Sequence, residues 1–388
     1  MIPTLAANLK KNKKRRILVI SAGGVQGGIQ AIYFGLKETW EIYSSVFMPY
    51  PQKVSSIIEK FIDVNIENPP LADLGWLDYK ITLLYAECAR NVLAQVPGGL
   101  KSPNLIVLNK LSIWKGSTSE DLQQANWNLT AGDEQYLSNV FKVPVVTDFI
   151  RQNILAGGPG IIPTFPGNLV ITSKHPGISV MINIGLVSRL TITDENAPSA
   201  LIDSDTGPGT CLINKVAKED TDTPDQFDRD GSTALKGKVD RECLNRFLSF
   251  PWFESAAPKQ ASPDIFDNLL EDQQFKNLNL YDKMATITAL TASSIYNFYK
   301  REYGSSCTPK RVWISGRGVY NMAIVEYLKT LFDPLPVISI EELGIPADMR
   351  IPLALGLTVN AMIDGRNIPL ETGNCPIVKT PARWVFPA

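Results

Sequence analysis

RILVISAGGVQGGIQAIYFGL, Arg16 to Leu36, is the stretch on which the fold turns. Ile17 to Ile20 reads as a strand by its β-branched content, Ile29 to Leu36 as a second, and Thr39 to Val46 as a third. Between the first two, Ser21 to Gly28 is a turn carrying Gly23, Gly24, Gly27 and Gly28. Strand, glycine turn, strand is a hairpin that can bring backbone N–H groups close to a phosphate. No Gly-Lys-Ser/Thr follows, so this is not a Walker loop, and no helix opens here as a Rossmann fingerprint requires.

Outward from the hairpin, helices are expected over Val54 to Val64 and Leu77 to Leu93, where apolar residues recur at helical spacing. Asn104 to Leu108 reads as a buried strand, Asp133 to Val140 as a helix, and Val143 to Val146 as a strand running into Thr147-Asp148-Phe149. Ala156 to Gly160 is a loop by composition. The pattern then restarts. Leu169 to Thr172, Ser179 to Ile184 and Ser188 to Thr193 read as three short strands, followed by a loop, Asp203 to Gly209. Helices are expected at Lys238 to Leu248, Pro263 to Leu270, Tyr281 to Tyr299, Tyr320 to Phe332 and Ile351 to Ile363, with strands at Arg311 to Ser315 and Val337 to Ile340. Two halves each opening on a three-strand antiparallel unit make an α/β chain. The layout is a two-lobed, duplicated fold of the actin and sugar-kinase kind, with a ligand cleft between the lobes. The expected lobes are 1–166 and 167–388, the last helix crossing back to the first.

Composition excludes several classes. The chain has 388 residues with Lys+Arg 38, Asp+Glu 39 and net charge -1, which argues against a nucleic-acid-backbone binder. No apolar run reaches the roughly 18 residues of a membrane span. Five scattered cysteines without CxxC spacing read as the reduced thiols of an intracellular, cytoplasmic protein. The basic run Lys10 to Arg16 reads as a solvated lead-in to the first strand, with a targeting address as the alternative. The single histidine, His175, sits in a Lys-His-Pro-Gly turn and excludes multi-histidine metal sites.

Five further stretches carry a family resemblance: Asp205-Thr206-Gly207-Pro208-Gly209-Thr210, Asp228-Arg229-Asp230-Gly231 with Gly237-Lys238-Val239-Asp240, Ala257-Pro258-Lys259, Ala285 to Ala292, and Asn183 to Thr191. In this order they resemble the DTGPGN, YDKDG…GKVD, PPK, ATLTELTA and NIGGIANVT segments of the anhydro-N-acetylmuramic acid kinases, a family that includes the levoglucosan kinases. The resemblance covers nearly the whole chain. It implies an ATP- and Mg²⁺-dependent enzyme that opens a 1,6-anhydro sugar with water and phosphorylates O6, and a homodimer. Neither nucleic acid nor membrane is an expected partner.

The chemical positions are where this chain departs. The family's SGTSMDGID hairpin is Ala22 to Gln30 here, losing its hydroxyls and both acidic residues. Its DFRxxD segment is Asp148 to Asn153, so the position the resemblance implies as the general base holds Asn153. Its HGQTVWH loop is Asn109 to Lys115, leaving Trp114 as a sugar-stacking candidate or a core residue. Its CGGGAYN turn is Ser315 to Asn321, with Arg317 in place of a glycine, and its EA pair is Ile351-Pro352. The expected nucleotide-facing set is therefore Gly23, Gly24, Gly27, Gly28, Asp205, Thr206, Gly207, Gly209, Gly316, Arg317 and Gly318. Asp205 is the surviving candidate metal ligand, and Asp148 is either a member of the catalytic loop or a cap. An amide is not a base, and losing one costs about 10²–10⁴ in rate. The expectation is a catalytically degenerate family member with a binding, scaffolding or regulatory role, in which ATP and Mg²⁺ bind weakly or not at all. An active kinase of a 1,6-anhydro or related sugar, and an enzyme repurposed for another small molecule in the same cleft, stay open as alternatives.

Overall fold

The structure is a computed structural model that describes residues 2–12, 14–24, 27–36, 39–62, 70–100, 102–117, 126–156, 160–193, 203–219, 228, 230–303, 308–365 and 382–388. Its strands are β1 (Arg16–Ala22), β2 (Gly28–Leu36), β3 (Trp40–Pro49), β4 (Leu105–Asn109), β5 (Leu111–Ser117), β6 (Asn126–Ala131), β7 (Val145–Thr147), β8 (Ser179–Ile184), β9 (Val187–Thr193), β10 (Asp203–Pro208), β11 (Arg311–Ser315), β12 (Val337–Ser339) and β13 (Arg383–Val385). The chain divides into two compact units, residues 1–170 with 351–388, and residues 171–350.

Each unit carries the same sheet. In the first the order is β13-β7-β4-β1-β2-β3, and in the second β10-β9-β8-β11-β12. Leaving out β13, both read third, second, first, fourth, fifth in chain order. The first three strands are antiparallel neighbours and the last two run parallel. The α/β duplication expected from the pattern of strands is thus present in the pairing itself. The buried parallel strands β4 (Leu-Ile-Val-Leu-Asn) and β11 (Arg-Val-Trp-Ile-Ser) show why they read so plainly: both faces are covered, so the run is nearly continuous in apolar residues.

In the first unit one sheet face packs Leu18, Ile20, Tyr33, Ile106 and Leu108 against the helices Gln52–Ile62 and Leu71–Ala94. The other face meets the helix Arg350–Ile363. A Cβ on Gly356 would lie 2.7 Å from Val19 and 2.8 Å from Phe34. Arg15 contradicts the solvated reading of the basic run. It is 1% exposed, with Nη2 2.9 Å from Asp364 Oδ1, Nη1 donating to Asn360 Oδ1 at 2.6 Å and Nε to the Leu9 carbonyl at 2.7 Å. Its charge ties the start of β1 to the end of the last long helix.

Two expected elements are different in kind. Leu169 to Thr172 is not a strand but the end of a helix, Phe165–Thr172. Its Val-Ile-Thr run is β-branched, but the helix is buried on most sides, so it has no polar face from which a helical period could be read. Asp203 to Pro208 is not a loop but strand β10, whose register with β9 shifts between Asp205 and Gly207. Gly and Pro mimic a turn there. The bulge and the edge position are what admit them.

Gly167 gives the packing a sharp test. A Cβ there would fall 1.9 Å from the Ala354 carbonyl oxygen, which is backbone and cannot rotate away. Gly167→Ala is expected to cost about 3 kcal/mol or more through overpacking. Calorimetry should show a melting temperature lower by roughly 4 °C or more.

Candidate functional site

The hairpin turn of the first unit closes on itself. Gly23 N–H donates to Gly28 O at 2.9 Å, Gly27 N–H to Gly24 O at 2.8 Å, and Tyr50 Oη donates to Gly23 O at 2.9 Å. A Cβ on Gly28 would lie 2.3 Å from Met48 O, so this glycine is required by the neighbouring strand. The amides of Gly23 and Gly27 are spent across the hairpin rather than presented to a phosphate. Val25 and Gln26 lie outside the described residues.

Asp148 begins the helix Phe149–Leu155 in a left-handed conformation, φ 62°, and makes no capping hydrogen bond. Its carboxylate instead joins an ion cluster. Lys110 Nζ lies 2.8 Å from Asp148 Oδ1 and 3.1 Å from Glu134 Oε2, and Arg383 Nη1 lies 2.8 Å from Glu134 Oε1. Asp148 and Glu134 are both nearly buried. Five residues on, Asn153 is 7% exposed and its Oδ1 accepts from Gly160 N–H at 2.6 Å and Ile161 N–H at 3.1 Å. The side-chain oxygen pins the chain that leaves the 157–159 stretch, which itself lies outside the described residues. The remaining branch of Asn153 is an NH₂ group, a donor where a base needs an acceptor.

Lys110→Met is expected to cost about 1–3 kcal/mol, because Arg383 still compensates part of the acidic pair. Urea titration at neutral pH measures it, and an unchanged midpoint would contradict the buried-cluster reading.

The second unit places Asp205 on β10 directly opposite Arg189 on β9. Arg189 Nε lies 2.6 Å from Asp203 Oδ1 and Nη1 lies 2.9 Å from Asp205 Oδ1, while Ala261 N–H donates to Asp205 Oδ2 at 2.9 Å. Burial pushes the Asp205 carboxyl above its ordinary range, and Arg189 and the Ala261 amide limit the rise. Burial pulls Arg189 down, but the two carboxylates outweigh it and hold the guanidinium charged. Both oxygens of Asp205 are therefore engaged. Among the described residues no group of three or more His, Cys, Asp and Glu side chains is placed to hold a metal ion. The donor set does not fit a Mg²⁺ ion ligated directly by several carboxylates.

Thr206 Oγ1 donates to the Ser188 carbonyl at 3.2 Å, and a Cβ on Gly207 or Gly209 would meet Ser294 Oγ at 2.5 Å or Gly185 O at 2.1 Å. Gly316 has φ 85°, and a Cβ there would lie 2.5 Å from Ile184 O; one on Gly318 would lie 2.2 Å from Ile184 Cγ2. These glycines let the turn after β11 lie against the end of β8. Arg317 between them is exposed. Trp114 lies on β5 paired with Leu129, and its side chain is outside the described residues.

Arg189 is the residue the sequence reading passed over. It stands where the resembled NIGGIANVT segment has its last Asn, and the signal was available: Asp203 and Asp205, two apart, share one face of a strand, so a cation beside them was to be sought on the neighbouring strand.

The comparisons with known proteins agree with one another. The family model for anhydro-N-acetylmuramic acid kinase matches residues 15–382. The chain is 27% identical to the anhydro-N-acetylmuramic acid kinase of Caldanaerobacter subterraneus subsp. tengcongensis, covering 93% of this chain and 95% of that one. It is 25% identical to that of Salinibacter ruber, over 94% and 95%, and 26% identical to that of Gloeobacter violaceus, over 96% of each.

Proposed function

The chain belongs to the anhydro-N-acetylmuramic acid kinase family, and from that premise we propose that it is an ATP-dependent kinase of a 1,6-anhydro sugar that turns over slowly. The observation that carries this is the continuity of the family match, 15–382, across both units. In the reaction, water adds at C1 as the C1–O6 bridge bond breaks. O6 bonds to the γ-phosphorus, ADP leaves, and the water's proton passes to solvent or a base. Asn153 positions the loop but takes no proton, so the water attacks C1 without the assistance that a carboxylate gives. Direct ligation of Mg²⁺ by a protein carboxylate cage has no place in this scheme. By the same premise the protein is proposed to act as a homodimer.

A second reading has its own support. The engaged Asp205, the amide at Asn153 and the closed hairpin favour a member that binds a ligand without turnover and serves a scaffolding or regulatory role. Sugar-dependent release of ADP separates the two. With ATP, Mg²⁺ and either levoglucosan or 1,6-anhydro-N-acetylmuramic acid, the kinase reading expects ADP above the sugar-free rate. Equal rates with and without both sugars would favour the second.

A further inference from the structure

The second unit holds a cavity of about 660 Å³ beside its edge strand β12. Its walls include His175, Arg311, Trp313, Met322, Ile338 and Glu342. Arg311 and Trp313 are two apart on β11, so their side chains leave the same face of the sheet, and Ile338 is the register partner of Trp313. His175 completes this wall. Its ring packs edge-on against Trp313 with centroids 5.3 Å apart, and its carbonyl accepts from Arg311 Nη1 at 3.0 Å.

Two polar groups on this wall are unspent. Trp313 is 3% exposed, and among the described residues its indole Nε1–H has no hydrogen-bond partner. A buried donor left so costs about 1–3 kcal/mol, which a ligand oxygen would recover. Arg311 forms no ion pair with a carboxylate among the described residues, and its remaining guanidinium N–H groups form a planar fork matched to an oxyanion. Trp313 and Ile338 offer apolar surface beside the two donors. Beyond the far end of β12, Glu341 and Glu342 also line the cavity, as does Lys329, which pairs with Glu326.

We propose that this cavity is a binding site for a small oxyanion, a carboxylate or a phosphate monoester, whose oxygens bridge the Arg311 guanidinium and the Trp313 indole N–H while its uncharged body lies on Trp313 and Ile338. The site stands independently of the kinase reading, since none of its donors belongs to the positions that reading uses.

The indole ¹H–¹⁵N resonances of the full chain test it. Trp313→Phe identifies the Trp313 peak by its disappearance. Titration with inorganic phosphate and, separately, with butyrate at constant ionic strength is expected to move that peak saturably, and Arg311→Gln to weaken the saturating ligand by roughly ten-fold or more. If Arg311→Gln does not fold, Arg311→Lys, which keeps the charge and loses the fork, is expected to weaken it about three-fold. Saturation by butyrate alone assigns a carboxylate, and by phosphate alone a phosphate. A peak that moves with neither, that moves equally with chloride, or that responds in the Arg311 variants as it does in the parent chain overturns the proposal.

Discussion

Asn153→Asp is expected to raise kcat for the anhydro sugar by about 10²-fold or more. The fold is ready for the change. Aspartate is isosteric with asparagine, and one carboxylate oxygen would take over the bonds from Gly160 N–H and Ile161 N–H that Asn153 Oδ1 now accepts. Those two bonds favour the charged form, so the new group should be ionised at neutral pH. Its second oxygen then replaces an NH₂ donor with an acceptor for the water's proton. A stability close to that of the parent chain is expected alongside the gain. A folded Asn153→Asp variant with no gain over the parent would favour the second reading, in which the altered hairpin and the engaged Asp205 leave nothing for a base to assist.

Arg189→Met is expected to destabilise the fold by about 3–5 kcal/mol at neutral pH. It removes the cation that faces both Asp203, 3% exposed in its side chain, and Asp205, 13% exposed. What remains is two buried carboxylates with Thr191 Oγ1, at 2.8 Å from Asp203, the Ala261 amide and the charge of the buried Arg350 guanidinium near Asp203 to stabilise them. The sign with pH follows from the same group. Burial already raises the folded Asp205 pKa above its unfolded value. A raised carboxyl binds its proton more tightly in the native state, so its contribution favours folding at low pH and turns against it as pH rises through and above the ordinary carboxylate range. Without Arg189 the carboxyl rises further. The deficit of the variant relative to the parent is therefore largest at pH 7 and above and shrinks toward pH 4.5. Denaturant titration at pH 4.5 and pH 7.5 measures both limbs. A deficit that grew on acidification would mean that the carboxylates are not the penalised groups.

The strands that lay plainest in the sequence were those whose surroundings are uniform. β1, β4 and β11 are buried on both faces and advertise it in their composition. Leu169 to Thr172 reads as a strand because its Val-Ile-Thr run is β-branched and the helix Phe165–Thr172 is buried on most sides, which leaves no polar face to show a helical period. β10 was hidden for the opposite reason: its Asp, Gly and Pro are turn formers individually, and only pairing with β9 makes them a strand. The candidate site divides similarly. That Asn153 is no base follows from its chemistry alone. That its oxygen pins Gly160 and Ile161, that Gly23 and Gly27 spend their amides on the hairpin, and that Arg189 occupies Asp205 are facts of three-dimensional pairing. The glycines expected to face a nucleotide also carry packing duties, as Gly316 and Gly318 do against Ile184, so glycine content by itself marks close approach and not what approaches.

The central claim, that this fold still phosphorylates a 1,6-anhydro sugar, is met most directly by identifying the product. ³¹P NMR of the protein with ATP, Mg²⁺ and 1,6-anhydro-N-acetylmuramic acid or levoglucosan is predicted to show a sugar 6-phosphate monoester growing in step with ADP, and only when protein and sugar are both present. ADP without the monoester, or neither after prolonged incubation with either sugar, would contradict the account.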